Sequence, residues 1–266
     1  MAKVRLDLLL VERGLADSRA KAQALVMAGQ VRVDGQVELK ASAQIAPESQ
    51  LELETGPRFV SRGGDKLEAA LQAFPVNVSG FVCADVGAST GGFTDCLLQH
   101  GAAKVYAIDV GKGILHWKIR SDRRVVVMEE TNARHVAALP EPVSLVTIDA
   151  SFISLKILLP VVKGWLRPCL EGRGTEGEGG VIALIKPQFE AGRKEAAKHK
   201  GVIRDPGVHK AILLEVLEFA QSQGFAVRGL VRSPVLGPKG NVEFLAWLED
   251  SGKAETPLEE WIAALF

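Results

Sequence analysis

The chain has 266 residues, 47% of them apolar, enough to close one large core plus a small one and too many for general disorder. Its 32 Lys and Arg balance its 32 Asp and Glu, so net charge makes no case for a nucleic-acid partner and only local clusters can. Cys83, Cys96 and Cys169 are odd in number and lack a C-x-x-C pair, which argues against a disulfide framework or a structural zinc site, and no run approaches the ~20 apolar residues of a membrane helix.

Lys3 and Arg5 open the chain, but the apolar run after them is broken by Asp7 and ends at Glu12, which is no secretory signal. The expectation is a soluble, cytoplasmic protein in a reducing compartment. Leu6, Leu9, Leu10 and Val11 have helical spacing, with Gly14 where a C-cap belongs. Ser18 can cap a second helix that buries Ala22, Leu25 and Val26 and ends at Gly29. Val31 to Val33, Asp34-Gly35 and Val37 read as a hairpin, and Leu51 to Glu54 as a short alternating strand. The strings R-L-D at Arg5 to Asp7, S-R-x-K-A-x-x-L-V at Ser18 to Val26, and A-G-Q-V-R-V-D-G at residues 28–35 resemble the small RNA-binding domain named after ribosomal protein S4. The resemblance implies that the second helix and the hairpin grip RNA, with Arg5, Arg19, Lys21 and Arg32 meeting phosphates and supplying affinity rather than sequence choice. A solvated helix face is the other reading, since the segment carries no fewer acids than bases.

Gly56-Pro57 marks a boundary, giving an RNA-binding domain over 1–55, a linker over 56–60 and a second domain over 61–266. Leu67, Ala70, Leu71 and Phe74 form one helix face that Pro75 closes. Phe81 to Val86 reads as a buried strand, Gly87 to Phe93 as a glycine-rich turn, and a helix follows from Thr94 to Gln99. The turn stands where α/β proteins bind ligands. No Lys-Ser or Lys-Thr follows its last glycine, which excludes a phosphate-binding nucleotide loop, and its order Gly87-x-x-x-Gly91-Gly92 is not G-x-G-x-x-G. D-V-G-A-S-T-G-G, from Asp85 to Gly92, resembles motif I of S-adenosylmethionine-dependent methyltransferases; a tight turn without a ligand is the alternative. Lys104 to Asp109 is a second strand, and Asp109 lies 22 residues after Gly87, near the ~20-residue offset at which an acid meets ribose hydroxyls. Asp109 could equally cap the next helix.

The patch Lys112, Lys118, Arg120, Arg123 and Arg124, with His116 and Trp117 among them, suits a nucleic-acid surface or an ordinary half-buried helix. Val125 to Met128 is a third strand, running into Glu129-Glu-Thr131-Asn132, and Val143 to Asp149 a fourth. An apolar helix over Leu155 to Leu166 is interrupted by Pro160, and residues 171–180 form a polar glycine-rich loop. Val181 to Ile185 is a fifth strand ending on Lys186-Pro187. Residues 190–206 hold Arg193, Lys194, Lys198, Lys200 and Arg204, a basic loop that faces RNA or solvent. A helix with Val208, Ile212, Leu213, Val216, Leu217 and Ala220 precedes a last strand pair, Phe225 to Val231 and Val242 to Leu248. The fold class is α/β: a Rossmann-like, seven-stranded methyltransferase domain behind a small α+β domain.

The ends of three strands, and the start of the helix before the first, would bring Asp149, Lys186, Glu243 and Lys66 to one edge. S-R-G-G-x-K-L-E-x-A from Ser61, D-V-G-A-S-T-G-G-F-T-D from Asp85, D-x-S-F-I-S-L from Asp149, A-L-I-K-P-Q-F-E from Ala183, G-V-I-R-D-P from Gly201 and G-P-x-G-N-x-E-F from Gly237 resemble the TlyA (hemolysin A-like) family of ribosomal RNA methyltransferases. That family resembles the FtsJ-type ribose 2′-O-methyltransferases and their Lys-Asp-Lys-Glu tetrad. Carried over by position, the tetrad is Lys66, Asp149, Lys186 and Glu243. Lys186 is then the base or hydroxyl-orienting group, Lys66 its electrostatic partner, and Asp149 and Glu243 the orienters. The resemblance also implies S-adenosylmethionine contacts at Asp85, Gly87, Ala88, Ser89, Thr90, Gly91, Gly92, Phe93, Asp109, Thr131, Asn132 and Asp149. Arg62 joins the RNA contacts, ribosomal RNA or ribosomal subunits are the partner, cytidine is the nucleoside, and the transfer needs no metal. A monomer away from membranes is expected. Gly172 to Gly180 departs from the family pattern as an insertion, and Glu130 stands where arginine is commoner. A nicotinamide oxidoreductase, a membrane-active haemolysin and a non-catalytic RNA-binding or assembly factor are the competing functions.

Overall fold

The computed structural model describes residues 3–54, 56–167, 179–192, 201–250 and 256–266. They divide into two units, Met1–Arg58 and Phe59–Phe266. In the first, β1 (Val4–Arg5) leads into α1 (Leu6–Glu12), and α2 (Arg19–Met27) follows, with the Ser18 hydroxyl accepting from the Lys21 N–H at its amino end. β2 (Val31–Val33), β3 (Gln36–Val37) and, after β4 (Gln44–Ile45), β5 (Leu51–Leu53) form an antiparallel sheet in the order β3-β2-β5. β1 pairs with β4, a contact between two-residue strands too short for any periodicity to signal. Leu6, Leu10, Ala22, Val26 and Val31 make the small core.

The second unit opens with α3 (Gly63–Ala73) and continues through β6 (Val82–Val86), α4 (Gly92–Gln99), β7 (Lys104–Ile108), α5 (Trp117–Arg120), β8 (Val125–Met128) and β9 (Leu145–Ile148). Then come α6 (Leu155–Lys163), β10 (Gly180–Ile185), α7 (Pro187–Glu190), α8 (Pro206–Ser222), β11 (Ala226–Arg232), β12 (Phe244–Glu249) and α9 (Leu258–Ala263). The sheet order is β11-β12-β10-β9-β6-β7-β8. β8, β7, β6, β9 and β10 are mutually parallel, and β12 runs antiparallel between β10 and β11. Helices cover both faces, so the strands are apolar on both sides. Ala183, Ile185, Val146, Ile148 and Ala246 face one core with α6 and α8, while Ile182, Leu184, Leu145 and Trp247 face the other with α3 and α4. Gly180 is required where a Cβ would lie 2.0 Å from the Trp247 ring.

Two expectations about helices change. α4 begins at Gly92, two residues before Thr94. Pro160 does not interrupt α6, which runs through it to Lys163, because burial of Leu155, Leu158, Leu159 and Val162 outweighs the one backbone bond the ring removes. The sheet's geometry fixes where chemistry can happen. The parallel strands end at Val86, Ile108, Met128, Ile148 and Ile185, and β12 starts at Phe244 opposite Ile185, so the residues just beyond these positions share one edge.

Candidate active site

The turn after β6 lies against the end of β9. Gly87 has φ +83°, and a Cβ there would stand 2.7 Å from the Asp149 carbonyl oxygen, so only glycine fits. The N–H groups of Gly87 and Ala88 both donate to the Ile108 carbonyl, at 2.9 and 3.1 Å. Gly91, at φ +95°, is the residue before α4, and its missing Cβ makes room for Leu115 and Ile119. Asp85 lies beneath the loop, fully buried, accepting from the hydroxyls of Thr94 at 2.7 Å and Thr147 at 3.1 Å. Burial pushes its carboxyl up to about 7. Of the residues expected to contact the cofactor, Asp85 and Gly91 line neither cavity described next: Asp85 lies beneath the loop and Gly91 faces Leu115 and Ile119.

Two cavities flank this loop and share Gly87, Ser89, Asp149 and Ser151. The larger, about 610 Å³, has Asp109, Thr131 and Asn132 in its lining together with Ile108, Val110, Ile114 and Phe152. The Asp109 carboxylate is fixed by the N–H groups of Ser89, at 2.8 Å, and Gly111, at 2.7 Å. The Asn132 side-chain oxygen accepts from the Arg134 N–H, and the Thr131 hydroxyl donates to the Glu129 carbonyl. Phe152, at φ +64° and 89% exposed, stands at this cavity with its ring 4.8 Å from that of Phe189. Sequence reasoning missed Val110, Ile114 and Phe152; an aromatic three residues after the strand-ending Asp149 was the available signal. Glu190 holds the loop that carries Phe152, accepting from the Ser154 hydroxyl and the Leu155 N–H.

The smaller cavity, about 290 Å³, is lined by Lys66, Lys186, Glu243 and Arg62, and by Ala88, Thr90, Gly92 and Phe93 from the loop. Here four charged side chains from distant parts of the chain form one line. Glu243 Oε2 lies 2.6 Å from Lys66 Nζ, Lys66 Nζ 3.9 Å from Asp149 Oδ2, and Asp149 Oδ1 2.5 Å from Lys186 Nζ. Lys186 also donates to the Ser151 hydroxyl at 3.1 Å and reaches the Asp149 carbonyl at 3.5 Å. Glu243 Oε1 accepts from Gln188 Nε2 at 3.3 Å and sits where a Cβ on Gly237 would collide with it. Ser151, Gln188 and Gly237 therefore belong to the arrangement; sequence reasoning did not single them out because their role depends on packing across the sheet edge.

The expected RNA contacts divide. Arg62 is exposed at the smaller cavity. Arg5 and Arg19 both turn onto Asp7, which is fully buried and which Arg5, Gln23 and Arg19 hold well below the usual carboxylate range. Arg32 pairs with Glu54 at 2.6 Å, and Lys21 stands exposed on α2. Arg193, Lys194, Lys198 and Lys200, and most of the glycine-rich loop over 171–180, lie outside the described residues. In the patch after β7, Lys112 pairs with Glu130, Lys118 with the buried Asp95, Arg120 with Glu129 and Arg124 with Asp122, so these four cations already have acidic partners. Among the described residues no helix is long and apolar enough to cross a membrane.

Comparison with known proteins bears on both units. The family model described as FtsJ-like methyltransferase matches residues 59–250, and the S4 domain model matches residues 4–51. The 16S/23S rRNA (cytidine-2′-O)-methyltransferase TlyA of Mycobacterium tuberculosis is 43% identical over 250 residues, 92% of this chain and 90% of its own. Hemolysin A of Brachyspira hyodysenteriae is 40% identical over 246 residues, 91% of this chain and 98% of its own. A crystal structure of a hemolysin-named protein from Lactococcus lactis superimposes with a TM-score of 0.71 at 46% identity, covering 79% of this chain and 99% of that one.

Proposed function

The chain belongs to the FtsJ-like methyltransferase family, and from that premise we propose that it methylates a ribose 2′-hydroxyl of ribosomal RNA, on cytidine, with S-adenosylmethionine as donor. One observation carries the reading: the Glu243–Lys66–Asp149–Lys186 line passes through Asp149, which lines both cavities, with Lys186 beside it in the smaller one. A donor on one side and an acceptor hydroxyl on the other then face each other across Asp149.

The larger cavity fits the donor. Its volume is in the range of cofactor sites, its walls are apolar at Ile108, Val110, Ile114 and Phe152, and Asp109 offers a fixed carboxylate for ribose hydroxyls. The carboxylates of Asp109 and Asp149 suit a cofactor that carries positive charge. When bound, S-adenosylmethionine supplies a methyl group on a sulfonium. Everything else falls to the protein's own side chains. Lys186 Nζ, already donating to Ser151, is placed to hold the ribose hydroxyl and to manage its proton as the oxygen is alkylated. Asp149 fixes Lys186, and Lys66, neutralised by Glu243, steadies the second oxygen of Asp149. Holding the hydroxyl in line supplies much of the rate.

The S4-type unit provides phosphate affinity in this reading, through Lys21 and the outer N–H groups of Arg19, and Arg62 guides the backbone at the smaller cavity. The test is tritium transfer from labelled S-adenosylmethionine into ribosomal RNA from cells lacking the protein, followed by mass mapping of the product. Label at a ribose 2′-oxygen of cytidine is the expected result. Label on a base, or no label with bound cofactor, would remove the assignment.

A further inference from the structure

Away from both cavities, one cluster brings together three kinds of metal-ligating atom. Glu68 projects from α3, Cys96 from α4, and His100 from the residue that caps α4 at its carboxyl end. Glu68 Oε2 lies 2.7 Å from His100 Nε2 and 3.8 Å from Cys96 Sγ, and the three ligand atoms are all within 4.8 Å of one another. The spacing Cys96-x-x-x-His100 sets sulfur and imidazole on one helix face, one turn apart. The missing C-x-x-C pair argues against zinc in the sequence alone; helix pairing supplies the third ligand that spacing does not reveal.

We propose that Glu68, Cys96 and His100 form a binding site for a borderline-soft divalent cation, Zn²⁺ by preference. Thiolate and imidazole together select zinc-like ions over Mg²⁺ or Ca²⁺, which take oxygen ligands. Tetrahedral zinc with bonds of about 2.0 to 2.3 Å separates its ligand atoms by roughly 3.3 to 3.5 Å. The His100–Glu68 contact must open by about half an ångström and the Cys96–Glu68 contact close slightly, which side-chain torsions supply. The second Glu68 oxygen accepts from Gln72 Nε2 at 2.9 Å, the outer hydrogen bond that steadies a ligating carboxylate. Cys96 is buried while the His100 side chain is 32% exposed, so an ion enters from the His100 side and keeps a water as fourth ligand. Binding forms three metal–ligand bonds and releases the Cys96 thiol proton to solvent, and no electron moves. The bound ion would clamp α3, which carries Lys66, to α4, which follows the glycine loop, and takes no part in methyl transfer.

The experiment is a Co²⁺ titration of the metal-free full-length protein, read by absorbance. The expected result is one equivalent bound, with a thiolate-to-cobalt charge-transfer band and the d–d bands of tetrahedral cobalt, all displaced by Zn²⁺. Cys96→Ser removes the charge-transfer band. His100→Asn, at a partly exposed position, keeps the circular dichroism of the fold and weakens Co²⁺ binding at least about tenfold, and Gln72→Leu weakens it about tenfold. Cys83→Ala and Cys169→Ser leave the band in place. An ordinary Glu68–His100 ion pair would give no charge-transfer band on the folded protein. That result, or a band that survives Cys96→Ser, overturns the proposal.

Discussion

Lys186→Ala separates the chemistry from cofactor binding. Lys186 is 8% exposed and its Nζ lies 2.5 Å from an Asp149 carboxylate that is 18% exposed. Breaking a buried pair by removing one partner costs roughly 3–5 kcal/mol, but Asp149 keeps some solvent and the Lys66 ammonium at 3.9 Å, so a loss of about 2–3 kcal/mol is expected. In a domain of this size each kcal/mol lowers the melting temperature by roughly 2–4 °C, so the variant remains folded at 25 °C with a midpoint depressed by about 5–10 °C. The catalytic loss is larger. A positioned proton-transfer group contributes about 10²–10⁴ in rate, and lost orientation of the hydroxyl adds to it, so single-turnover methylation should fall by at least ~10³, about 4 kcal/mol of barrier. Lys186 lines only the smaller cavity, so the cofactor Kd measured by titration calorimetry should change less than about threefold. Asp109→Ala, confined to the larger cavity, should show the opposite pattern. A folded Lys186→Ala protein that methylates within tenfold of wild type would refute the assignment of Lys186 to the reacting hydroxyl.

Ser151→Ala removes one of the acceptors on Lys186 and should lower kcat about tenfold with KM nearly unchanged, with Ser151→Thr restoring most of it; an unchanged kcat would detach Ser151 from the site. Gly87→Ala places a Cβ 2.7 Å from the Asp149 carbonyl at φ +83°, so cofactor affinity should drop at least tenfold, and calorimetry showing wild-type binding would contradict the close approach. Asp85 has a folded-state carboxyl raised to about 7 by burial, above its unfolded value. Its contribution to stability is therefore complete below about pH 4 and is lost as pH rises through about 7, by at most roughly 4 kcal/mol. Urea unfolding should show wild type losing ground to Asp85→Asn across that interval; a difference that does not vary with pH would place the carboxyl in a wetter setting.

The parts legible in sequence share a physical basis. Buried parallel strands are near-continuous apolar runs, and a charged residue ending such a run, as Asp149 and Lys186 do, marks the ligand edge whatever the packing. The glycine turn is legible for a similar reason, because Gly87 answers to a backbone constraint. What escaped depends on contacts between elements. Asp85, near the end of its strand, reads like a cofactor contact, yet Thr94 and Thr147 each take one of its oxygens and leave it beneath the loop. Arg5 and Arg19 read as free cations, yet the fold buries Asp7 between them. Phe152 shows no periodicity at all; its place follows from Glu190 on α7 holding Ser154 and Leu155.

The line of four charges has unlike ends, Glu243 without exposed side-chain surface and Asp149 the most exposed of the four. A carboxylate as buried as Glu243, with no exposed side-chain surface, would cost several kcal/mol unless each oxygen found a partner. Lys66 takes one at 2.6 Å and Gln188 the other at 3.3 Å, and Gly237 leaves the room a side chain would fill. That end is a dry anchor. At the other end Asp149 lines both cavities and Lys186 the smaller one, where a substrate hydroxyl would replace the contact to Ser151. The two ends should therefore answer differently to neutralisation. Glu243→Gln keeps the volume but leaves the Lys66 ammonium with Asp149 alone, drawing it away from its present place. Its expected signature is a stability loss near 3 kcal/mol in urea unfolding and a kcat loss smaller than that of Lys186→Ala. A Glu243→Gln protein of wild-type stability that is as inactive as Lys186→Ala would mean that Glu243 meets the substrate itself, and the division into anchor and working end would be wrong.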